Sequence, residues 1–309
     1  MDYGLRKYRL LACYGTVVAC LPYLVLKVIW IGGGNLGVGA EGQDEMHSDK
    51  YVVANVVTAG MELVAVLVAM AFTYEWGRRI PAWIVLVPVW VGTGLLAPFV
   101  VGLPSGLLVQ AVVGGSAVPD NDGAMGTWVF AVIYGGFIIQ GVTLLAAFVL
   151  YARVRWAPLF ETRTYELPSG TTREVQVLLA RGAAVGAVLY AVLRVGWALR
   201  SGEFETAAQK TFVVVGAPLA LLGAAATLAL VERRGNGSLL PVLGCAWIGA
   251  GSLFACGFTG MGYGGAGGTM SGVGLVAGLL LGVACLLSLA EGLASRTNVG
   301  RAGFEPAQS

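Results

Sequence analysis

Glu62 is the residue in this chain best placed to do chemistry. It stands in Ala59-Gly60-Met61-Glu62-Leu63-Val64, about ten residues into an apolar run, and no other acid lies in the interior of any apolar run of the chain. In a membrane-spanning helix that position is roughly 15 Å deep, near the bilayer midplane. A charge there costs at least about 2.5–3.5 kcal/mol, so an acid kept at that depth faces a partner, a cavity or a pathway. Removing a carboxylate from water favours its neutral, proton-bearing form. A protonated carboxylic acid in apolar surroundings is a proton donor, which makes Glu62 the candidate general acid. The same placement equally suits an internal hydrogen bond or an ion pair that holds helices together.

Other residues could bind or orient a substrate. Lys27 and Arg194 each sit three residues before a tryptophan, Trp30 and Trp197, about one turn from the end of an apolar run. They read either as snorkelling cations with interfacial tryptophan anchors or as ligand-binding groups, and Lys27 is within reach of Glu62 if the helices are offset. Gln140 is a second polar group inside an apolar run, able to orient a ligand or to join an interhelical hydrogen bond. Trp128 falls at a run end, while Trp90 and Trp247 fall nearer the middle. Ring faces of this kind stabilise a passing carbocation by about 0.5–2 kcal/mol each, though belt and core packing account for each ring singly. Asp120 and Asp122 flank Asn121 in Pro-Asp-Asn-Asp-Gly, which is good turn sequence first; paired acids can also hold magnesium or calcium, and either is a secondary catalytic candidate that could reach the outer mouth of a pocket. His47 is the only histidine, and the five cysteines show no CxxC or Cys/His spacing. The expectation is therefore no metal site, no disulfide frame and no cofactor. None of the glycine runs ends in the Gly-Lys-Ser/Thr of a phosphate loop.

The elements that must hold these residues are apolar helices. Hydrophobic residues make up 57% of the chain and charged residues 12%, too few to cover a water-facing surface. Eight runs can span a bilayer: 9–31, 52–74, 81–103, 126–151, 177–199, 208–231, 239–259 and 270–292. Fourteen Lys and Arg fall on the side of the N-terminus and three on the other, which predicts that both termini are cytoplasmic in a cell membrane. A net charge of +2 gives no case for nucleic acid. The partners expected are the lipid bilayer and a hydrophobic small molecule.

The chain also repeats itself. Tyr23, Leu26, Lys27, Val28 and Trp30 recur as Tyr190, Leu193, Arg194, Val195 and Trp197, 167 residues on. Trp90-Val-Gly92-Thr-Gly94 matches Trp247-Ile-Gly249-Ala-Gly251, Arg78-Arg79 matches Arg233-Arg234, and Gly141-Val142 matches Gly282-Val283. The fold expected is all-α integral membrane, with eight transmembrane helices as two fused parallel four-helix repeats. Residues 1–151 form the first repeat, 152–176 a cytoplasmic linker, 177–295 the second repeat and 296–309 a disordered tail. Duplicated bundles tend to place a site where the halves meet.

The pattern Tyr23-x-x-Leu26-Lys27-x-x-Trp30-x-Gly32-Gly33 resembles that of uncharacterised actinobacterial multi-pass proteins, which implies a membrane family without an activity. In chain size, apolar multi-helix build and an acid in the second helix, the chain also resembles bacterial integral-membrane terpene cyclases of the indole-sesquiterpenoid type. Fungal membrane-bound meroterpenoid cyclases similarly carry a glutamate in an early helix, a role that falls on Glu62 alone. The resemblance implies proton-initiated cyclisation of a polyprenyl substrate. Two other readings stay open: a proton-coupled transporter or exporter of a small hydrophobic compound, and a non-catalytic accessory subunit.

Overall fold

A computed structural model describes residues 3–118, 122–157, 162–166, 170–235, 237–260 and 265–302. Among these there are nine α-helices: α1 (Tyr3–Ile31), α2 (Gln43–Met46), α3 (Asp49–Thr73), α4 (Ala82–Val113), α5 (Thr127–Arg155), α6 (Arg173–Arg200), α7 (Ala207–Glu232), α8 (Leu239–Gly260) and α9 (Gly265–Ala302). All but the single turn α2 are long and apolar enough to cross a membrane. The chain is therefore a multi-pass membrane protein.

Its contacts divide it into two compact units, Met1–Arg155 with Ala198–Val215, and Trp156–Trp197 with Gly216–Ser309. In the first unit α1 packs between α3 and α5, and α4 packs on α5. The two sides of α1 are opposite in character. Arg9, Cys13, Thr16, Cys20, Tyr23, Lys27 and Trp30 recur every three or four residues, and all are buried. Leu11, Tyr14, Val18, Leu21, Val25 and Val28 are exposed. A helix with polar groups inside and aliphatic groups outside is stable only where the surroundings are hydrocarbon.

The third spanning helix is longer than its hydropathy suggests. The sequence places a loop over 104–125, yet α4 continues through Pro104 to Val113. The extension is held by the start of α7. A Cβ on Gly106 would stand 2.7 Å from the Ala208 carbonyl oxygen, so only glycine allows this approach. Gln110 then ties the two chains: its Oε1 accepts Ala208 N–H (3.0 Å) and its Nε2 donates to the Gly114 carbonyl (2.6 Å). For this reason residues 198–215 belong to the first compact unit, although the repeat boundary read from sequence puts them with the second half.

The two loops between α1 and α3 and between α4 and α5 are clasped. Gly39 N–H donates to Ala124 O (3.0 Å), Gly126 N–H donates to Gly37 O (2.9 Å), and Val38 bridges Met125. Beneath the clasp lies a core of Tyr23, Leu26, Trp30, Val38, Met46 and Val129.

In the second unit α8 packs along α9 through glycines. A Cβ on Gly278 would meet Phe254 Cα at 2.7 Å, and one on Gly257 would meet Leu275 Cα at 2.7 Å. The Tyr190 ring lies over Gly274 of the glycine ladder. The end of the linker is pinned to α9: Glu291 accepts Thr172 N–H (2.9 Å), Thr172 Oγ1–H (2.6 Å) and Gln176 Nε2–H (2.9 Å). Helix α9 itself runs to Ala302, into the stretch that the sequence assigns to a tail, and residues 303–309 lie outside the described residues.

Candidate functional site

The buried face of α1 and the residues opposite it form the candidate site. Glu62 stands on α3 with Thr58 and Asn55 one and two turns away on the same face, because residues three and four apart share a face. Gln140 stands on α5. Glu62 is 7% exposed and Gln140 3% exposed. The Gln140 amide Nε2 donates to Glu62 Oε2 at 3.0 Å. The Cys20 thiol of α1 also lies against this carboxyl. Two helices, α1 and α5, thus each supply one group to a buried carboxylic acid carried by a third, α3.

Lys27 lies nearer the clasped loops. Its Nζ donates to Asn55 Oδ1 at 2.7 Å, and Asn55 Nδ2 in turn reaches Met46 Sδ at 3.5 Å. The ammonium stands 4.6 Å from the centre of the Tyr23 ring and 5.3 Å from that of Trp30. Lys27 is 6% exposed and Trp30 is buried, with its indole N–H on the Leu36 carbonyl (3.0 Å). This corrects the snorkelling reading of Lys27 and the belt reading of Trp30. A snorkelling lysine sends its charge to water, whereas this one is enclosed by two rings, an amide and the loop clasp. The direct Lys27–Glu62 pair is also replaced: Asn55 takes the lysine, and Glu62 lies seven residues further along α3. The Lys27 ammonium and the Glu62 carboxyl are thus held by different partners, Asn55 and Gln140.

The helices that hold the acid also carry a cluster of rings. Cys20 and Gln140, which hold Glu62, each lie three residues from a ring, Tyr23 and Phe137, and those two rings meet edge to face at 5.3 Å. Phe137 meets Phe99 at 5.0 Å, and Phe99 meets Tyr134 at 5.8 Å and Phe212 at 5.1 Å. Of the tryptophans singled out from sequence, Trp30 lies in one core with Tyr23. Trp90 is half-buried on α4, and Trp128 is 49% exposed over Gly37 at the loop clasp. In the second unit Trp247 is half-buried on α8. There Arg194 stands with its guanidinium carbon 5.8 Å from both the Tyr190 and Trp197 ring centres. Asp122 is exposed, with left-handed backbone (φ 49°), at a turn away from Glu62. Asp120 lies outside the described residues. No group of three or more His, Cys, Asp or Glu among the described residues is arranged to hold a metal ion.

Sequence reasoning passed over Cys20, Asn55, Thr16, Thr58 and Thr143. The signal that finds them is the four-three spacing of polar residues on α1, from Arg9 through Cys13, Thr16, Cys20, Tyr23 and Lys27 to Trp30. A run of polar positions on one face of an otherwise apolar helix marks the side turned away from lipid.

Comparison of the chain with family models, with curated proteins and with solved structures finds no match.

Proposed function

We propose that this protein is a membrane enzyme that begins the cyclisation of a polyprenyl (terpenoid or meroterpenoid) substrate by proton transfer from Glu62, and that its chain is two fused four-helix repeats. The observation that carries the reading is the Glu62 carboxyl itself, buried and bonded to Gln140, which stands three residues along α5 from Phe137 of the Tyr23–Phe137–Phe99–Tyr134 ring cluster. Glu62 gives its carboxyl proton to the less substituted carbon of an alkene, or to an epoxide oxygen. The π bond of the alkene, or one C–O bond of the epoxide, breaks, and the positive charge appears on the more substituted carbon. The carboxylate left behind keeps the Gln140 amide and gains strength from that charge-assisted hydrogen bond. A neighbouring alkene of the substrate attacks the cation and closes the ring, with each nearby ring face stabilising the moving charge by about 0.5–2 kcal/mol. Loss of a proton from the final cation completes the reaction, so the alkene reaction is an isomerisation overall.

The repeat is supported by two cations held alike. Lys27 lies between Tyr23 and Trp30, and Arg194 between Tyr190 and Trp197, at the same spacing. Only the first half has an acid inside the apolar span of the matching helix; in α7 the acid, Glu232, is the last residue. Taking the Arg78-Arg79 and Arg233-Arg234 match as the register, Glu62 corresponds to Ala217.

The test is a product assay on membranes bearing wild type or Glu62→Gln, given linear and epoxidised farnesyl- and geranylgeranyl-bearing compounds. A cyclised product that disappears in an equally abundant Glu62→Gln protein is the expected result. If wild type converts nothing in the panel, cyclisation is wrong, and Glu62-dependent flux of a small hydrophobic compound into vesicles would assign the acid to transport.

A further inference from the structure

The polar row on α1 continues past Glu62 toward the face of the membrane where α1 begins. One turn beyond Cys20, Thr16 Oγ1 meets Thr143 Oγ1 of α5 at 2.9 Å, with both residues at the α1–α5 contact. Thr143 Oγ1 also reaches the carbonyl of Gln140, the residue that holds Glu62, at 3.3 Å. Beyond these, the Cys13 thiol lies against the Thr73 hydroxyl of α3, and Thr73 Oγ1 donates to the Arg9 carbonyl at 3.3 Å. Arg9 closes the row, its guanidinium Nε on the Phe72 carbonyl at the end of α3 (3.0 Å). In the other direction the row meets Tyr23 with Thr58, and then the Lys27 ammonium. The titratable groups facing Glu62 from α1 are thus Cys20, Tyr23 and Lys27. From α5 it faces the neutral Gln140.

Packing does not account for this row. At the spacing that relates Tyr23 to Tyr190, the residues Cys13, Thr16 and Cys20 correspond to Ala180, Ala183 and Ala187 of α6. These alanines are as deeply buried as their counterparts. The same face of an equivalent helix therefore packs with no polar atom at three successive layers. Polar side chains in apolar surroundings cost free energy unless bonded, and an alternative without that cost exists in the same chain.

We propose that Cys13 with Thr73, Thr16 with Thr143, and Cys20 form a proton path between the Glu62 carboxyl and the membrane face at which α1 begins. A hydroxyl is both donor and acceptor, so it takes a proton on its lone pair and releases its own toward the next layer. The layers are spaced by about 5–6 Å of helix rise, a gap that one bridging water spans. One proton enters at the face and one arrives on the Glu62 carboxylate; no bond other than O–H or S–H is made or broken. The path rests on the reading of Glu62 as the working acid, because that acid must be reprotonated after each turnover.

The test uses the full chain in liposomes sorted for one orientation by protease protection of an N-terminal tag. A rapid pH step is applied on one side, and the carbonyl stretch of the Glu62 carboxyl is followed in the infrared, assigned by its loss in Glu62→Gln. Thr16→Val with Thr143→Val removes both members of the hydroxyl pair together, leaving no unpaired group and nearly the same shape. The expected result is a response to pH at the N-terminal face that is at least about tenfold slower in the double valine variant, a barrier increase of about 1.4 kcal/mol. Thr16→Ser with Thr143→Ser keeps the wild-type rate. An unchanged rate in the valine variant, a response only to pH at the opposite face, or no response to either face would overturn the path. A path that passes this test while the product assay finds no cyclisation would leave proton delivery to Glu62 standing and remove the cyclase reading.

Discussion

Asn55→Leu tests whether Lys27 is a truly buried cation. In the native site Lys27 Nζ donates to Asn55 Oδ1 at 2.7 Å, and its other two faces lie against the Tyr23 and Trp30 rings. Leucine has nearly the shape of asparagine and no acceptor. A hydrogen bond to a charged group contributes about 1.5–3 kcal/mol, and stripping a buried charge of its partner costs about 3–5 kcal/mol. The two rings remain and retain about 0.5–2 kcal/mol each of cation–π attraction. Asn55→Leu alone is therefore expected to destabilise the fold by about 3 kcal/mol. Lys27→Met alone leaves the Asn55 carbonyl unpaired, at a cost of about 1–3 kcal/mol. Combined, the two changes leave no unpaired group, and the double variant should return to within about 1 kcal/mol of wild type. The assay is reversible unfolding by SDS titration in mixed micelles, read as a double-mutant cycle with an expected coupling of about 3 kcal/mol. A single Asn55→Leu within about 0.5 kcal/mol of wild type, with additive changes in the double, would refute the reasoning. It would mean that the ammonium reaches water and that the tyrosine and tryptophan only flank its stem.

Glu62→Gln keeps an acceptor for Gln140 and should cost no more than about 1 kcal/mol while abolishing product, so normal abundance with no turnover is expected by gel and chromatography. Gly249→Ala places a Cβ 2.6 Å from the Leu219 carbonyl and 2.6 Å from Gly223 N, backbone that cannot step aside. A loss of about 1–3 kcal/mol in the same SDS titration follows, and a neutral result would show that α7 and α8 are further apart. Glu291→Ala removes the acceptor shared by Thr172 and Gln176, so limited proteolysis should cut the segment before α6 faster than in wild type. An unchanged cleavage rate would show that the linker end is held by other contacts.

The eight apolar spans were legible because hydrocarbon imposes one rule on each helix separately: satisfy the backbone internally and stay apolar for about twenty residues. Helix ends followed that rule less well. Pro104 and the polar Gln110 read as loop, yet α4 includes both, because Gly106 and Gln110 bind the first turn of α7. No local pattern encodes a bond to a residue about a hundred positions away. The glycine-rich stretch between the seventh and eighth apolar runs read as loop for the same reason: Gly257 of α8 and Gly274 of α9 are points of close approach between those helices and lack meaning until the two lie side by side.

Sequence alone determined that Glu62 lies deep in an apolar span, and that Lys27 and Arg194 share a tyrosine–cation–tryptophan spacing. Those facts depend only on chain order and helix rise. It could not choose between a lysine that snorkels and one that is enclosed, because the choice depends on what covers the helix end. The tertiary structure decided this by clasping two loops over Trp30 and setting Asn55 opposite Lys27. It likewise decided that the Glu62 carboxyl meets Gln140 and Cys20 rather than Lys27. The spacing along α1 and α3 allows either arrangement, and only the relative rotation and offset of α1, α3 and α5 selects one.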